Sequence, residues 1–215
     1  MTVGGAGGPD SAARPATAAR VAGLLLAAGR GSRLGRPKAL VQLGARTLAE
    51  RGAALLRDGG AAPVVVVTGA VSLSLPGAFC VPNPDWQLGM GSSLRAGLTA
   101  LPGDAAAVVI ALADQPLVGP QSVRRLIAAF QAGAVVAVAC YDGRPRNPVL
   151  LARQHWDEAG AAARGDVGAR AFLRSRPELV ACVECGDTGR PDDLDTAADL
   201  ARIAALLEQR TAAFP

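Results

Sequence analysis

From Val21 onward the chain alternates short apolar runs with longer amphipathic stretches. VAGLLLAA is followed by TLAERGAALLRDGG, then by PVVVVTG, AFCVPN, GSSLRAGLTAL and AAVVIALAD. Strand-type runs separated by helical ones predict βαβ units and a mainly parallel sheet. A further helix is expected over 122–132, with a strand at VVAVACYDG. Past NPVLLARQHW the pattern is less regular: helices near 157–163 and 168–174, a strand at ELVACVEC, and a closing helix from Thr196 to about Gln209. Ligands of open α/β sheets sit beyond the carboxyl ends of the strands. Three polar clusters fall at such ends: a glycine loop after VAGLLLAA, the ADQP turn, and the Asp193–Asp195 pair.

Composition narrows the class. The 215 residues are half apolar, which suits one domain over 20–215, since a domain usually takes ~100–200 residues. Residues 1–19 are rich in Gly, Ala, Pro and Ser and read as a disordered leader without a signal sequence. No stretch reaches the ~20 apolar residues that span a bilayer, so no membrane partner is expected. A net charge of only +4 and 3% aromatic residues offer little to a nucleic acid. Cys80, Cys140, Cys182 and Cys185 lie in apolar or strand-like contexts, so reduced thiols in a cytoplasmic protein are expected, with Cys182 and Cys185 simply part of a strand. His155, the single histidine, stands beside Trp156 and is expected to pack.

The stretch LLLAAGRGSRLGRPKAL, residues 24–40, carries the chemistry. An apolar strand that runs into glycines presents backbone N–H groups to a phosphate, and the cationic side chains complete such a cradle. The Walker spacing is absent, because Arg36-Pro37 precedes Lys38 and neither Gly29 nor Gly31 has its second glycine in place. The dinucleotide fingerprint also fails. Its third glycine arrives at Gly35, one residue late, and its acidic partner would be Glu50, inside a helical pattern. A bare glycine turn with solvated arginines leaves the downstream clusters unexplained.

Taken with NPDWQLGMGSSLRAGL, ALADQP, GDVGAR and DDLDTAADL in that order, LAAGRGSRLGRPKAL resembles the MobA-like nucleotidyltransferases, in particular the molybdenum cofactor cytidylyltransferase branch. The resemblance spans residues 21 to about 207. It implies a three-layer, Rossmann-like α/β nucleotidyltransferase fold and transfer of CMP from CTP to a phosphorylated pterin with release of pyrophosphate. Two departures stand out: Arg146 in GRPRNPVLL, where the branch usually has glycine, and DTAADL where DTPEDL is common. Arg146 leaves the second substrate open. A GTP- or sugar-phosphate-using transferase, and a non-catalytic nucleotide-binding escort for a molybdoenzyme, are the competing readings.

Nucleotidyl transfer brings two anions together, so catalysis rests on positioning and charge neutralisation. Lys38 is expected at the α-phosphate and the transition state, with Arg30, Ser32 and Arg33 on the leaving phosphates. The segment Leu26, Ala27, Ala28, Gly29, Arg30 and Gly31 supplies the loop. Asn83, Ser92, Ser93 and Gly97 are implied to frame base and ribose. Mg²⁺, replaceable by Mn²⁺, takes one or two protein carboxylates: Asp114 at its strand end, and Asp193 or Asp195, which period-two spacing places on one face of an extended segment. Thr196 or Asp195 could equally cap the helix that follows. Asn147 and Pro148, read as a turn, with Asp166 and Arg170, are proposed acceptor contacts. A molybdoenzyme or chaperone is the implied protein partner. The LAAG form of the loop, with Ala28 where guanylyltransferase relatives have glycine, favours CTP.

Overall fold

A computed structural model describes residues 19–212 of the chain. The expected leader therefore lies, up to residue 18, outside the described residues. Strands are β1 (Val21–Leu26), β2 (Gln42–Leu43), β3 (Arg46–Thr47), β4 (Val64–Thr68), β5 (Phe79–Pro82), β6 (Ala107–Leu112), β7 (Val136–Tyr141), β8 (Arg144–Ala152) and β9 (Val180–Glu184). Helices are α1 (Leu48–Asp58), α2 (Met90–Ala100), α3 (Pro120–Gln131), α4 (Trp156–Ala162), α5 (Arg170–Ser175) and α6 (Ala197–Ala212).

Seven strands form the central sheet in the order β5-β4-β1-β6-β8-β7-β9. The pairs β4–β5, β1–β4, β1–β6 and β7–β9 are parallel, and β8 alone runs antiparallel, between β6 and β7. The expected α/β fold with a mainly parallel sheet is what the chain adopts.

Period-two alternation sorts the buried residues onto the two faces. Val21 and Leu25 of β1 pack with Leu56 of α1 and with Val123 and Leu126 of α3 on one face. Ala22, Leu24 and Leu26 pack with Leu94 of α2, Trp156 of α4 and Phe172 of α5 on the other. Both faces are therefore covered by helices, which is why the strands read as apolar runs without polar alternation. A third cluster, with Leu43, Leu48, Leu117, Leu194 and Ile203, seats α6. No helix among the described residues is long and apolar enough to cross a membrane.

Glu50 settles the dinucleotide question. It is the third residue of α1, its carboxylate accepts the Thr47 backbone N–H at 2.7 Å, and Thr47 Oγ1 accepts the Glu50 N–H at 3.2 Å, a capping box. A side chain closing a helix N-terminus in this way is not at a strand end awaiting a ribose.

Two expectations are corrected by the structure. Asn147 and Pro148 do not form a turn; they lie within β8, and the chain reverses at Asp142-Gly143. Pro145 and Pro148 disguise the strand, because proline cannot donate to a ladder and is confined to edges and irregularities. Here the register against β7 shifts between Val138 and Cys140, and pairing with β6 begins only at Val149↔Ile110. Secondly, the reduced-thiol expectation fails for Cys140 and Cys182, which form a disulfide between β7 and β9 with α-carbons 5.8 Å apart. Parallel pairing brings them together from 42 residues apart, a proximity spacing cannot reveal. Cys80 and Cys185 remain free. The short antiparallel β2–β3 pair is an addition to the expected elements.

Candidate active site

The strand order reverses at β1, with β4 on one side and β6 on the other. At such a switch point the loops leaving neighbouring strands diverge and open a crevice. The glycine loop leaves β1 and the ADQP turn leaves β6, so both border it. A cavity of about 570 Å³ lies here, within the range that takes a small ligand. Leu26, Ala27, Ala28, Gly29, Arg30 and Lys38 line it from the β1 side, and Leu112, Ala113 and Asp114 from the β6 side.

Backbone geometry makes the loop. Gly31 has φ 64°, and a β-carbon there would fall 2.2 Å from the Arg36 carbonyl oxygen, so only glycine fits. The Lys38 N–H donates to the Gly29 carbonyl at 3.3 Å, which folds the loop back and returns Lys38 to the cavity. Gly31, Ser32 and Arg33 continue the loop just outside the lining residues, with Ser32–Leu34 in a short 3₁₀ turn.

Trp86, Gln87, Gly89, Met90 and Ser93 make the facing wall. Behind it, the buried Asn83 amide donates to Ser92 Oγ at 2.9 Å and Ser93 Oγ at 3.1 Å. Asn83 Oδ1 accepts the Asp85 N–H at 3.0 Å, and Ser92 Oγ lies 2.8 Å from the carbonyls of Asp85 and Gly89. Asn83 and Ser92 thus brace the wall, while Ser93 reaches the cavity. Gly97 does not reach it: a β-carbon at Gly97 would lie 2.4 Å from Leu24 Cδ1, so this glycine lets α2 close on the sheet.

The charged corner holds Lys38. Its ammonium donates to Asp114 Oδ2 at 2.6 Å and to Asp195 Oδ1 at 2.5 Å, and Arg33 Nη1 donates to Asp195 Oδ2 at 3.1 Å. Burial opposes the Lys38 charge, but the Asp114 carboxylate and the hydrogen bonds to both aspartates outweigh it and hold its pKa above the ordinary lysine value. The Lys38 hydrogen bond holds the Asp195 carboxyl below its usual range despite some burial. Asp193 behaves oppositely. Burial pushes its pKa up, aided by the charges of Asp114 and Asp195, although Gln115 Nε2 donates to its Oδ1 at 2.8 Å.

A backbone strap delivers Asp195. The Leu194 N–H donates to the Asp114 carbonyl at 2.8 Å, and the Arg190 N–H to the Leu117 carbonyl at 3.1 Å. The cap of α6 is Thr196, whose Oγ1 accepts the Asp199 N–H at 3.1 Å, while Asp199 Oδ2 accepts the Thr196 N–H at 2.9 Å. Asp195 is thereby left to face Lys38.

The Lys38 ammonium marks a point on which two carboxylates converge. Oxygen donors around one cationic position suit a hard divalent ion. No group of three or more His, Cys, Asp or Glu side chains among the described residues is arranged to hold a metal. An ion there would take two protein carboxylates, with phosphate and water completing its shell, as Mg²⁺ commonly does. Of the two tail candidates, Asp195 turns to Lys38 and Asp193 to Gln115.

Of the acceptor candidates, Asp166 lines the cavity. Asn147 and Pro148 lie along β8 and Arg170 opens α5, away from the lining. His155 is buried, with its ring centroid 5.7 Å from that of Phe172, a packing role. Sequence reasoning missed Trp86, Gln87 and Met90 as lining residues; their only signal was membership of the NPDWQLGMGSS stretch.

A phosphate-type loop, a cationic side chain and paired carboxylates thus meet at the switch point of a mainly parallel sheet, an arrangement suited to a nucleotidyltransferase. Residues 23–180 match the MobA-like NTP transferase domain, and the chain belongs to that family. Nicotine blue oxidoreductase of Paenarthrobacter nicotinovorans is 38% identical over 203 residues, covering 85% of this chain and 96% of that protein. Molybdenum cofactor guanylyltransferase of Rhodobacter capsulatus is 36% identical over 123 residues, 54% of this chain and 62% of that one. The manganese complex of Rv0371C from Mycobacterium tuberculosis H37Rv superposes with a TM-score of 0.71 at 27% identity, covering 86% of this chain and 98% of that one.

Proposed function

We propose that the protein transfers CMP from CTP to the phosphate of a molybdopterin-type pterin in a Mg²⁺-dependent reaction. The observation that carries this reading is the glycine loop's delivery of Lys38 onto Asp114 and Asp195, a phosphate cradle joined to a cation site. An acceptor phosphate oxygen attacks the α-phosphorus in line; the new P–O bond forms as the bond to the β-phosphate oxygen breaks, and pyrophosphate leaves. Loop N–H groups with Arg30, Ser32 and Arg33 hold the departing phosphates, and Lys38 stabilises the charge at the α-phosphate in the transition state.

Asp114 and Asp195 are the residues that would hold the divalent ion. When bound, it neutralises phosphate charge. Support for a divalent ion comes from the manganese complex of the Mycobacterium tuberculosis neighbour, and Mn²⁺ is expected to substitute for Mg²⁺. CTP is favoured because Ala28 lines the cavity and narrows it beside the strand end. The relative that is a guanylyltransferase makes GTP the competing nucleotide. Of the acceptor candidates Asn147, Pro148, Asp166 and Arg170, Asp166 is the proposed acceptor contact, because it lines the cavity.

Incubation with CTP, Mg²⁺ and molybdopterin, with pyrophosphate and cytidylylated product both quantified, tests the reading. Equal yields of the two products are expected. Nucleotide binding without pyrophosphate release would instead indicate an escort protein.

The similarity to nicotine blue oxidoreductase favours a second reading, in which the cavity serves redox chemistry. It predicts redox turnover of nicotine blue and no pyrophosphate, so a redox assay and a pyrophosphate assay separate the readings.

A further inference from the structure

Resting on the nucleotide reading of this cavity, we infer that Trp86 is its base platform, the side chain on which the nucleobase stacks. Aromatic residues are 3% of the chain, and the others described are engaged elsewhere. Phe172, Trp156 and Tyr141 are buried in the core, Phe130 packs against it from α3, and Phe79 lies exposed on β5. Trp86 alone among the described aromatic side chains lines the cavity. Its indole N–H has no partner among the described residues, whereas that of Trp156 donates to the Leu151 carbonyl at 3.1 Å.

The ring is held in place before any ligand arrives. Trp86 donates its backbone N–H to the Asn83 carbonyl at 3.3 Å, and its own carbonyl accepts the Gly89 N–H at 3.1 Å. A β-carbon at Gly69, just past β4, would lie 2.5 Å from Trp86 Cβ and 2.8 Å from Ala28 Cβ. Glycine at 69 thus lets the tryptophan and Ala28 meet at one corner of the cavity. A preorganised ring loses little freedom when a ligand stacks on it.

Charge then places the nucleotide. Arg30 and Lys38 supply the cations of the lining, so the triphosphate belongs with them. The wall with Trp86, Met90 and Ser93 carries no cation and is left for base and ribose. Stacking accepts every base because each has a π-face. Trp86 therefore sets how tightly a nucleotide binds, and Ala28 beside it limits ring size.

Calorimetric titration of the full-length protein with CTP, GTP and tripolyphosphate, each with Mg²⁺, tests the inference on wild type, Trp86→Phe and Trp86→Leu. Trp86→Leu is expected to weaken CTP and GTP binding by about 5- to 150-fold while leaving tripolyphosphate unchanged. Trp86→Phe, which keeps a ring, is expected to stay within about threefold of wild type for all three. Unchanged CTP affinity in Trp86→Leu overturns the platform. So does equal loss for CTP and tripolyphosphate, which marks a deformed wall and not a lost stack. Wild-type protein that binds tripolyphosphate but gains nothing from the base also overturns it, and wild type that binds neither anion removes the nucleotide reading itself.

Discussion

The Lys38 ammonium lies 2.5 Å from Asp195 Oδ1 although 157 residues separate the two in sequence. With Asp114 on its other side, it bridges two carboxylates that converge at the end of β6. Removing one member of such a cluster leaves charge without a partner, which costs more than the intact cluster contributes. Lys38 therefore has two duties, toward the carboxylates and toward a bound phosphate, and variants can separate them.

For Lys38→Ala the expected loss is in kcat, about 10²–10³-fold, with a smaller rise in nucleotide KM. Mn²⁺ binding to the nucleotide-free variant should tighten, because Asp114 and Asp195 lose their resident cation. Steady-state kinetics and electron paramagnetic resonance of free Mn²⁺ check the two effects. A change confined to KM would demote Lys38 to ground-state binding.

Asp114→Asn and Asp195→Asn should each abolish most turnover while the circular dichroism spectrum is retained. Asp193→Asn should keep activity within a few-fold of wild type, because the amide oxygen can still accept the Gln115 hydrogen bond. Loss of activity in Asp193→Asn with full activity in Asp195→Asn would reverse the metal assignment.

Opposite pKa shifts give the two tail aspartates opposite pH signatures. Asp195 is depressed in the folded protein, so its contribution to stability is present above its ordinary carboxyl pKa and is lost as pH falls through the lowered folded value. Asp193 is raised, so the folded state holds its proton longer. Its ionisation costs stability, increasingly as pH rises from the ordinary value through the folded one. Asp193→Asn should accordingly raise Tm at pH 7 and change it little at pH 3. At this chain length about 1 kcal/mol moves Tm by ~2–4 °C. Thermal unfolding at both pH values reads the difference; a lower Tm at pH 7 would contradict the sign.

Much of the fold was legible because β1, β4, β6 and β7 are covered on both faces and carry little but apolar residues. β8 was hidden by Pro145, Pro148 and an exposed first half, features that locally signal a loop. The loop and Asp114 were legible at the site because they stand at strand ends, whereas the tail aspartates lie past β9 in an irregular strap and were legible only as the DDLDT stretch. Whether Asp193 or Asp195 faces the cation was not, since it depends on Gln115 and on Thr196 taking the cap. Lys38 was expected at phosphate, and its carboxylate partners became visible only when β1, β6 and the strap came together. Trp86 and the Cys140–Cys182 pair likewise depend on contacts across the sheet, which spacing does not encode.

Nucleotide choice should turn on Ala28. Replacing it with glycine opens the corner beside Trp86 and should narrow the preference for CTP over GTP without inverting it, since shape alone discriminates by about 10–200-fold. Ratios of kcat/KM for the two nucleotides check this; an unchanged ratio would place selection elsewhere in the cavity.

The most direct test supplies equal CTP and GTP to the wild-type protein with Mg²⁺ and molybdopterin, and measures pyrophosphate together with the masses of the pterin products. Cytidylylated pterin in excess, matched one to one by pyrophosphate, is the predicted result. A guanylylated product in excess would contradict the cytidine assignment, and no pyrophosphate with either nucleotide would contradict nucleotidyl transfer to this acceptor.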